Sequence, residues 1–380
     1  MIDSASRQRL RQEIIERMAS DRALLDSLRD EIRPLVNQMR RIQPRSTTAV
    51  SLVATDGGNI YLRFDPFLVQ LVRVVDSSNN EYCLEVVTPT TDVRALARRQ
   101  FDENGAPVTA LGRLMHYLGQ SELYELSPMI PRSTSDGHPV SRVWIQVYRE
   151  LVEWAILFTL VREYHFATDT LIVFDGLLRS KIFSRDLFAR VRQGLWEGIQ
   201  EQFRRHHRRI YLVGLAKHSK VLDRYRLAMA LEGVLTCPYP AYVEVPREIE
   251  EKAYVWTEYA RGDDRDVTGE INKYVAGNMF LVKFGPGPRD PIWPVDIFSQ
   301  QRSEAQTILG CLLADAIEGF PIPYYPRCLQ RAHENAALVD FDLDILQDEV
   351  FEGIRQALEC EAPVLDIFRL QTVDPATRRY

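Results

Sequence analysis

The chain has 380 residues, a formal net charge of −6, 46% hydrophobic and 26% charged residues. That composition fits one large globular domain or two ordinary ones and excludes a disordered, collagen-like or disulfide-stapled chain. The longest apolar run, Leu151–Val161, is too short to cross a bilayer and contains Glu153. The charged N-terminus lacks an apolar signal core, which predicts a cytoplasmic protein with no membrane association. The five cysteines, Cys83, Cys237, Cys311, Cys328 and Cys360, form no CxxC pair, so zinc and disulfide frameworks are not expected. Mild acidity argues against a DNA-coating protein but leaves room for an enzyme with a local basic groove.

Residues 1–45 read as a helical segment. Met18, Leu25, Leu28, Ile32, Leu35, Met39 and Ile42 fall at alternating spacings of three and four, apart from Asp21 at one expected apolar position, a heptad-like stripe interrupted by Pro34. Such a stripe must be buried against the body of the chain, a second copy or another partner. Strand signals follow. Thr47–Thr55 contains the apolar run Ala49–Ala54, Asp56-Gly57-Gly58-Asn59 reads as a turn, and Ile60–Phe64 alternates as a half-buried strand does. Leu68–Val75 and Tyr82–Val87 are further strands, separated by the turn Asp76–Asn80.

Residues 90–140 mix short helices with the Pro128–Pro139 loop and read as an insertion. Trp144 to Tyr164 predicts a helix, and Leu171–Phe174 a strand buried on both faces. Ser184–His206 predicts a helix with Ser184 as N-cap, and Ile210–Ala216 another buried strand, followed by Lys217. Residues 235–300 look rich in strand and loop, with Tyr274–Phe284 the clearest strand. Ser303–Glu318 and Arg327–Leu338 read as helices joined by a rigid extended link, Pro321–Pro326. The expected division is a helical segment 1–45, a body 46–340 and a helical tail 341–380.

Two acids close apolar strands, Asp56 in Val53-Ala54-Thr55-Asp56-Gly57 and Asp175 in Ile172-Val173-Phe174-Asp175-Gly176. Each alone is an ordinary turn residue. On parallel neighbouring strands they would come together where α/β sheets gather their sites. Paired carboxylates without a nucleophile pattern are what Mg²⁺ or Mn²⁺ needs, and two such ions can clamp a phosphodiester. The order of elements, a three-strand meander, a helix, a strand, a helix and a strand, is that of a ribonuclease H-like fold. The expected class is therefore α/β: a mixed sheet with flanking helices, an N-terminal helical segment and a C-terminal α+β extension.

On these residues the chain resembles the NurA nucleases, partners of the hexameric HerA ATPase in DNA end processing. The resemblance is carried by Val53–Gly58, the helix around Glu153, Leu171–Leu178, Val213–Ser219 with Lys217, and Tyr324–Leu338 with Tyr325 and His333. It implies that Asp56, Asp175 and an acid on the intervening helix bind metal. Glu153 is preferred to Glu150, since it interrupts the apolar face Val152–Phe158. His333 matches a late histidine that ligands metal or positions water or phosphate, and Tyr325 an aromatic near the site. The family often has Ser after Asp-Gly, where this chain has Gly58 and Leu177.

The resemblance further implies Mn²⁺ (or Mg²⁺), two ions, a homodimer, docking on a HerA-type ATPase, and 5′-to-3′ trimming of single- and double-stranded DNA ends. Lys217 either holds a phosphate or is a surface lysine at a strand end. The run Arg204–Arg209 either contacts DNA or sits at a helix C-terminus because the helix dipole favours cations there. Two rival readings remain: a non-catalytic adaptor of an ATPase, and a ribonuclease H-like enzyme acting on RNA or a hybrid.

Overall fold

The computed structural model describes residues 3–45, 50–64, 67–134, 142–255, 273–337 and 340–358. Its strands are β1 (Arg40–Arg41), β2 (Val50–Phe64), β3 (Phe67–Asp76), β4 (Glu81–Val87), β5 (Asp169–Asp175), β6 (Ile210–Leu215), β7 (Ala241–Glu244), β8 (Gly277–Lys283) and β9 (Ile292–Phe298). Its helices are α1 (Ser4–Ser20), α2 (Arg22–Ile32), α3 (Val93–Arg98), α4 (Ala110–Leu118), α5 (Leu123–Leu126) and α6 (Val143–Glu163). After these come α7 (Leu187–His206), α8 (Lys220–Glu232), α9 (Arg247–Val255), α10 (Ala305–Ile317), α11 (Arg327–Ala336) and α12 (Asp340–Leu358).

All nine strands join one sheet, in the order β1-β7-β8-β9-β6-β5-β2-β3-β4. The meander β2-β3-β4 is antiparallel, and β5 and β6 run parallel to β2. The order β4-β3-β2-β5-β6 is the ribonuclease H-like arrangement that the sequence predicts. The strands of the expected C-terminal extension prolong this same sheet, through β9 antiparallel to β6.

Alternation along the strands fills two faces. Leu171, Val173, Val213, Val295 and Ile297 point into a core covered by α10 and α11. On the other face Ile172, Phe174 and Leu212 meet α6 and α7, while Met279 and Leu281 meet α8, α9 and α2. Trp154 and Phe188, edge to face at 4.9 Å, key α6 against α7. Among the described residues no helix is long and apolar enough to cross a membrane.

Several expectations are corrected. The N-terminal segment is two helices broken at Asp21, then a 3₁₀ turn over Arg33–Gln38 where Pro34 withholds its N–H. Ile32, Leu35 and Ile42 are fully buried, and Leu28 and Met39 pack on the same core as α8, whereas Met18 is exposed. From Leu28 onward the stripe is therefore buried by the chain's own body. Arg29 and Arg33 reach Glu232 at 2.6 and 2.7 Å and tie the segment to α8.

Asp56-Gly57-Gly58-Asn59 is not a turn. It lies inside the continuous strand β2, which pairs with β3 from Thr55↔Asp76 to Phe64↔Phe67. The helix expected from Ser184 begins at Leu187, after a turn closed by Leu187 N–H to Ser184 C=O at 3.0 Å. The Pro321–Pro326 link is a turn, with Tyr324 at φ 56°, rather than extended chain. Thr47–Ala49, the end of the Pro128–Pro139 loop, Leu338, Cys360 and the tail from residue 359 lie outside the described residues.

Candidate active site

The parallel pairing of β2 with β5 ends at Thr55↔Phe174. Asp56 and Asp175 are the next residues on the two strands. Leu52 and Ala54, like Leu171 and Val173, point to the α10–α11 side. A period of two carries both aspartates to that same side. There α11 crosses β2 and β3 and brings His333 to the pair. His333 Nδ1 lies 2.8 Å from Asp56 Oδ2. One ligand atom from each of Asp56, Asp175 and His333 lies within 4.8 Å of the other two. Asp56 is 13% exposed and His333 62%, so the imidazole forms the outer rim. The end of α11 is pinned by Arg73 donating to Asn335 C=O at 2.8 Å and by Asn335 Nδ2 donating to Asp76 C=O at 3.0 Å.

Glu153 approaches β2 from the opposite helical layer and lies outside the Asp56–Asp175–His333 group, whose aspartate charges it feels. A Cβ on Gly57 would meet Glu153 Oε1 at 1.8 Å, so the missing side chain at residue 57 is the space that the carboxylate uses. This is why the sequence reads falsely there: the glycine serves a close approach and not a turn. Burial pushes the Glu153 carboxyl up to about 8. Arg149, with Nε 3.2 Å from Oε1, opposes the shift, and the charges of Glu150, Asp56 and Asp175 add to it. Glu150 instead accepts a hydrogen bond from Ser180 Oγ at 2.5 Å, on the loop after β5. Of Glu150 and Glu153, Glu153 is the one that lies against β2 at Gly57.

Asp175 is pushed up to about 6, by burial and then by the Asp56 charge, while Lys217 and His333 pull it down. Lys217 is exposed at the end of β6, and its charge is felt at Asp175. Tyr325 is 2% exposed, and its phenol oxygen has no hydrogen-bond partner among the described residues. Burial, then the charges of Asp175 and Asp56, hold this phenol far above its ordinary range, so it stays protonated. Its ring packs on Trp293 with centroids 4.8 Å apart, and Trp293 Nε1 donates to Tyr324 C=O at 3.0 Å. Gln330 Nε2 donates to the Tyr325 and Ile322 carbonyls, both at 2.9 Å, and fixes the turn.

The loop after Asp175 is anchored by a buried ion network that sequence reasoning misses. Arg179 meets Asp296 on β9 at 2.6 Å and Glu250 on α9 at 2.7 Å. A Cβ at Gly214 would lie 2.4 Å from Gly176 C=O, so only glycine lets this loop cross β6. Arg149 and Trp293 are also missed. Arg149 is legible as the residue four before Glu153 on one helix. Trp293 carries no local signal, because it meets Tyr325 only through the fold. The Arg204–Arg209 run lies at the opposite end of the strands from the acids, leading into the start of β6, and Arg204 and Arg205 pair with Glu201. The carboxylates plus imidazole of the cluster are a donor set suited to Mn²⁺ or Mg²⁺, and a bound dication would offset the burial, and the lesser mutual repulsion, that raise Asp175 and Glu153.

Fold and site together define an α/β protein with an acidic cluster just past the point where the parallel pairing of two adjacent strands ends. No protein-family model matches the chain, and no curated protein sequence matches it. Among solved structures it is similar to the NurA nuclease from Sulfolobus solfataricus, at 14% identity and TM-score 0.48, covering 95% of this chain and 99% of that one. It is also similar to NurA with manganese, at 12% identity, TM-score 0.39 and 91% and 98% coverage. NurA bound to dAMP and manganese is similar at 10% identity and TM-score 0.39, covering 89% of this chain and 94% of that one. These are similarities of fold.

Proposed function

We propose that the protein is a metal-dependent DNA nuclease that hydrolyses phosphodiesters at the Asp56–Asp175 cluster. The observation that carries this reading is the meeting of Asp56, Asp175 and His333 within 4.8 Å, with Glu153 against the neighbouring Gly57. Asp56, Asp175, Glu153 and His333 would hold two divalent ions, Mn²⁺ or Mg²⁺. When bound, such ions polarise a phosphoryl oxygen and make water a better nucleophile at neutral pH.

The chain's own residues supply the rest. Arg149 orients the Glu153 carboxylate from one turn away. The protonated Tyr325 phenol, with no acceptor among the described residues, donates to a phosphate oxygen or to the departing hydroxyl. Lys217 offers a point charge to the phosphate at the rim. His333, on the outer rim, would serve as a metal ligand or position water or phosphate there.

The protein acts in the cytoplasm as a homodimer on single- and double-stranded DNA ends, 5′ to 3′, docked on a HerA-type hexameric ATPase. Support for this finer reading is the sequence resemblance above. The test is cleavage of matched DNA, RNA and hybrid substrates, labelled at either end, with and without the ATPase. Faster loss of DNA from its 5′ end, enhanced by the ATPase, is the expected result. Preference for RNA or hybrid contradicts the DNA reading. No cleavage of any substrate by folded protein contradicts the enzyme and leaves the adaptor.

A further inference from the structure

Beside the acid cluster lies a cleft of about 800 Å³, between α8, the turn that follows it, and the loop joining β8 to β9. It opens at the ends of β6 and β9 and shares two residues with the surroundings of the site. Lys217 is felt by Asp175, and Trp293 packs on Tyr325. The floor is apolar, with Leu222, Val234, Ile292 and Trp293. The rim is basic: Lys217, Arg226 and Arg289 are exposed, and none forms an ion pair among the described residues. The one carboxylate of the lining, Asp290, is already engaged by Gly287 N–H at 2.6 Å. A chain of net charge −6 thus presents a local basic rim around an apolar slot.

The walls are built and held. Lys283, fully buried, donates to Cys237 C=O on one wall and to Gly287 C=O, at 2.7 Å, on the other. Its ammonium interacts with the Asp290 charge, so the one carboxylate of the lining is offset from behind the cleft. The volume falls within the range of about 300–1,000 Å³ usual for ligand sites.

We propose that this cleft binds the single-stranded segment of nucleic acid that flanks the scissile phosphate, bases on the apolar floor and phosphates on the rim. The inference rests on the nuclease reading of the acid cluster. The charge pattern selects a polyanion. The apolar floor with its one aromatic selects a strand whose bases are free to enter, because duplex bases are stacked away from such a surface.

The test measures binding of fluorescein-labelled oligothymidylate by anisotropy, in EDTA, across a salt series. Full-length protein is compared with Arg226→Glu, Arg289→Glu, the double variant, and Arg204→Glu as a remote control of equal charge change. An Ala230→Trp variant fills the cleft without altering charge. The double variant should bind at least about tenfold more weakly, with a salt slope lower by about one for each lost phosphate contact. Ala230→Trp should also weaken binding, and Arg204→Glu should not. Cleavage of bis(p-nitrophenyl) phosphate with Mn²⁺, a diester too small to span the cleft, should be unchanged in Arg226→Glu and Arg289→Glu. Wild-type affinity in the double variant overturns the cleft, as does equal weakening by Arg204→Glu. So does a cleft that binds an acidic peptide and not the oligonucleotide. Failure of wild type to cleave either substrate, with the cleft variants still weak in binding, strikes the nuclease reading instead.

Discussion

Glu153 Oε1 occupies the space that a side chain at residue 57 would fill: a methyl group on Gly57 would lie 1.8 Å from it. Gly57→Ala therefore forces the carboxylate from its place against β2 while leaving β2 a strand. Cleavage should fall about 10²-fold, the scale of an ångström misplacement at a reacting centre. Circular dichroism should be unchanged. A wild-type rate would show that the position of Glu153 is immaterial.

The crowded acids make the metal-free protein less stable as pH rises. The Glu153 carboxyl stands at about 8 against an ordinary 4.5, and Asp175 at about 6 against 3.8. In each case the folded chain holds the proton more tightly than the unfolded chain. The stability is fully present below the ordinary value and is lost as pH rises through the folded one, so the window runs from about 4 to about 8. In EDTA the melting temperature should decline across that window, and Glu153→Gln should flatten the decline. At the top of the window the variant should melt at least about 2 °C above wild type. Mn²⁺ should raise the wild-type melting temperature and move the variant less. A pH-independent wild type would contradict this account.

Tyr325→Phe removes a buried hydroxyl that has no partner among the described residues. Deleting an unsatisfied polar group is neutral or stabilising. The variant should therefore keep the wild-type melting temperature and lose about 10²-fold in cleavage, as removal of one preorganised donor does. Lost stability with unchanged cleavage would make the tyrosine a packing residue.

Arg179→Met leaves Asp296 and Glu250 buried without their shared cation. Removing one partner of a buried network costs about 3–5 kcal/mol, read as a lower urea midpoint. Because the same network anchors the loop that follows Asp175, Mn²⁺ affinity should fall with it. The double variant Arg179→Met, Asp296→Leu should recover part of the stability. No recovery would argue that the network's value lies elsewhere than in charge pairing.

Much of the sheet was legible because its strands are apolar runs or alternations, as in Leu171–Phe174 and Ile60–Phe64. The meander, α6, β5, α7 and β6 follow from such local patterns. The same patterns made Asp175 the last residue of its strand, as it is, but also made Asp56 a strand end, whereas Asp56 lies within β2 just past its parallel pairing with β5. What local pattern could not reveal were contacts made by the fold. Glycine at 57 signals a turn in the sequence and proves to be a gap for Glu153. Arg179 and Asp296 are charged residues that sequence assigns to the surface, yet each completes the other's burial. The stripe at Leu28–Met39 specified burial but not its partner, which is the face of α8, α9 and β8, while Ile42 joins the core under α10 and α11.

The central claim is that Asp175 serves a metal-dependent cleavage reaction. The most direct measurement is cleavage of end-labelled DNA by wild type and Asp175→Asn, each with Mn²⁺ and with EDTA. The account predicts Mn²⁺-dependent cleavage by wild type, none in EDTA, and a loss of at least about 10³-fold in the variant at unchanged folding. Equal cleavage by the two proteins, or cleavage that persists in EDTA, would contradict it.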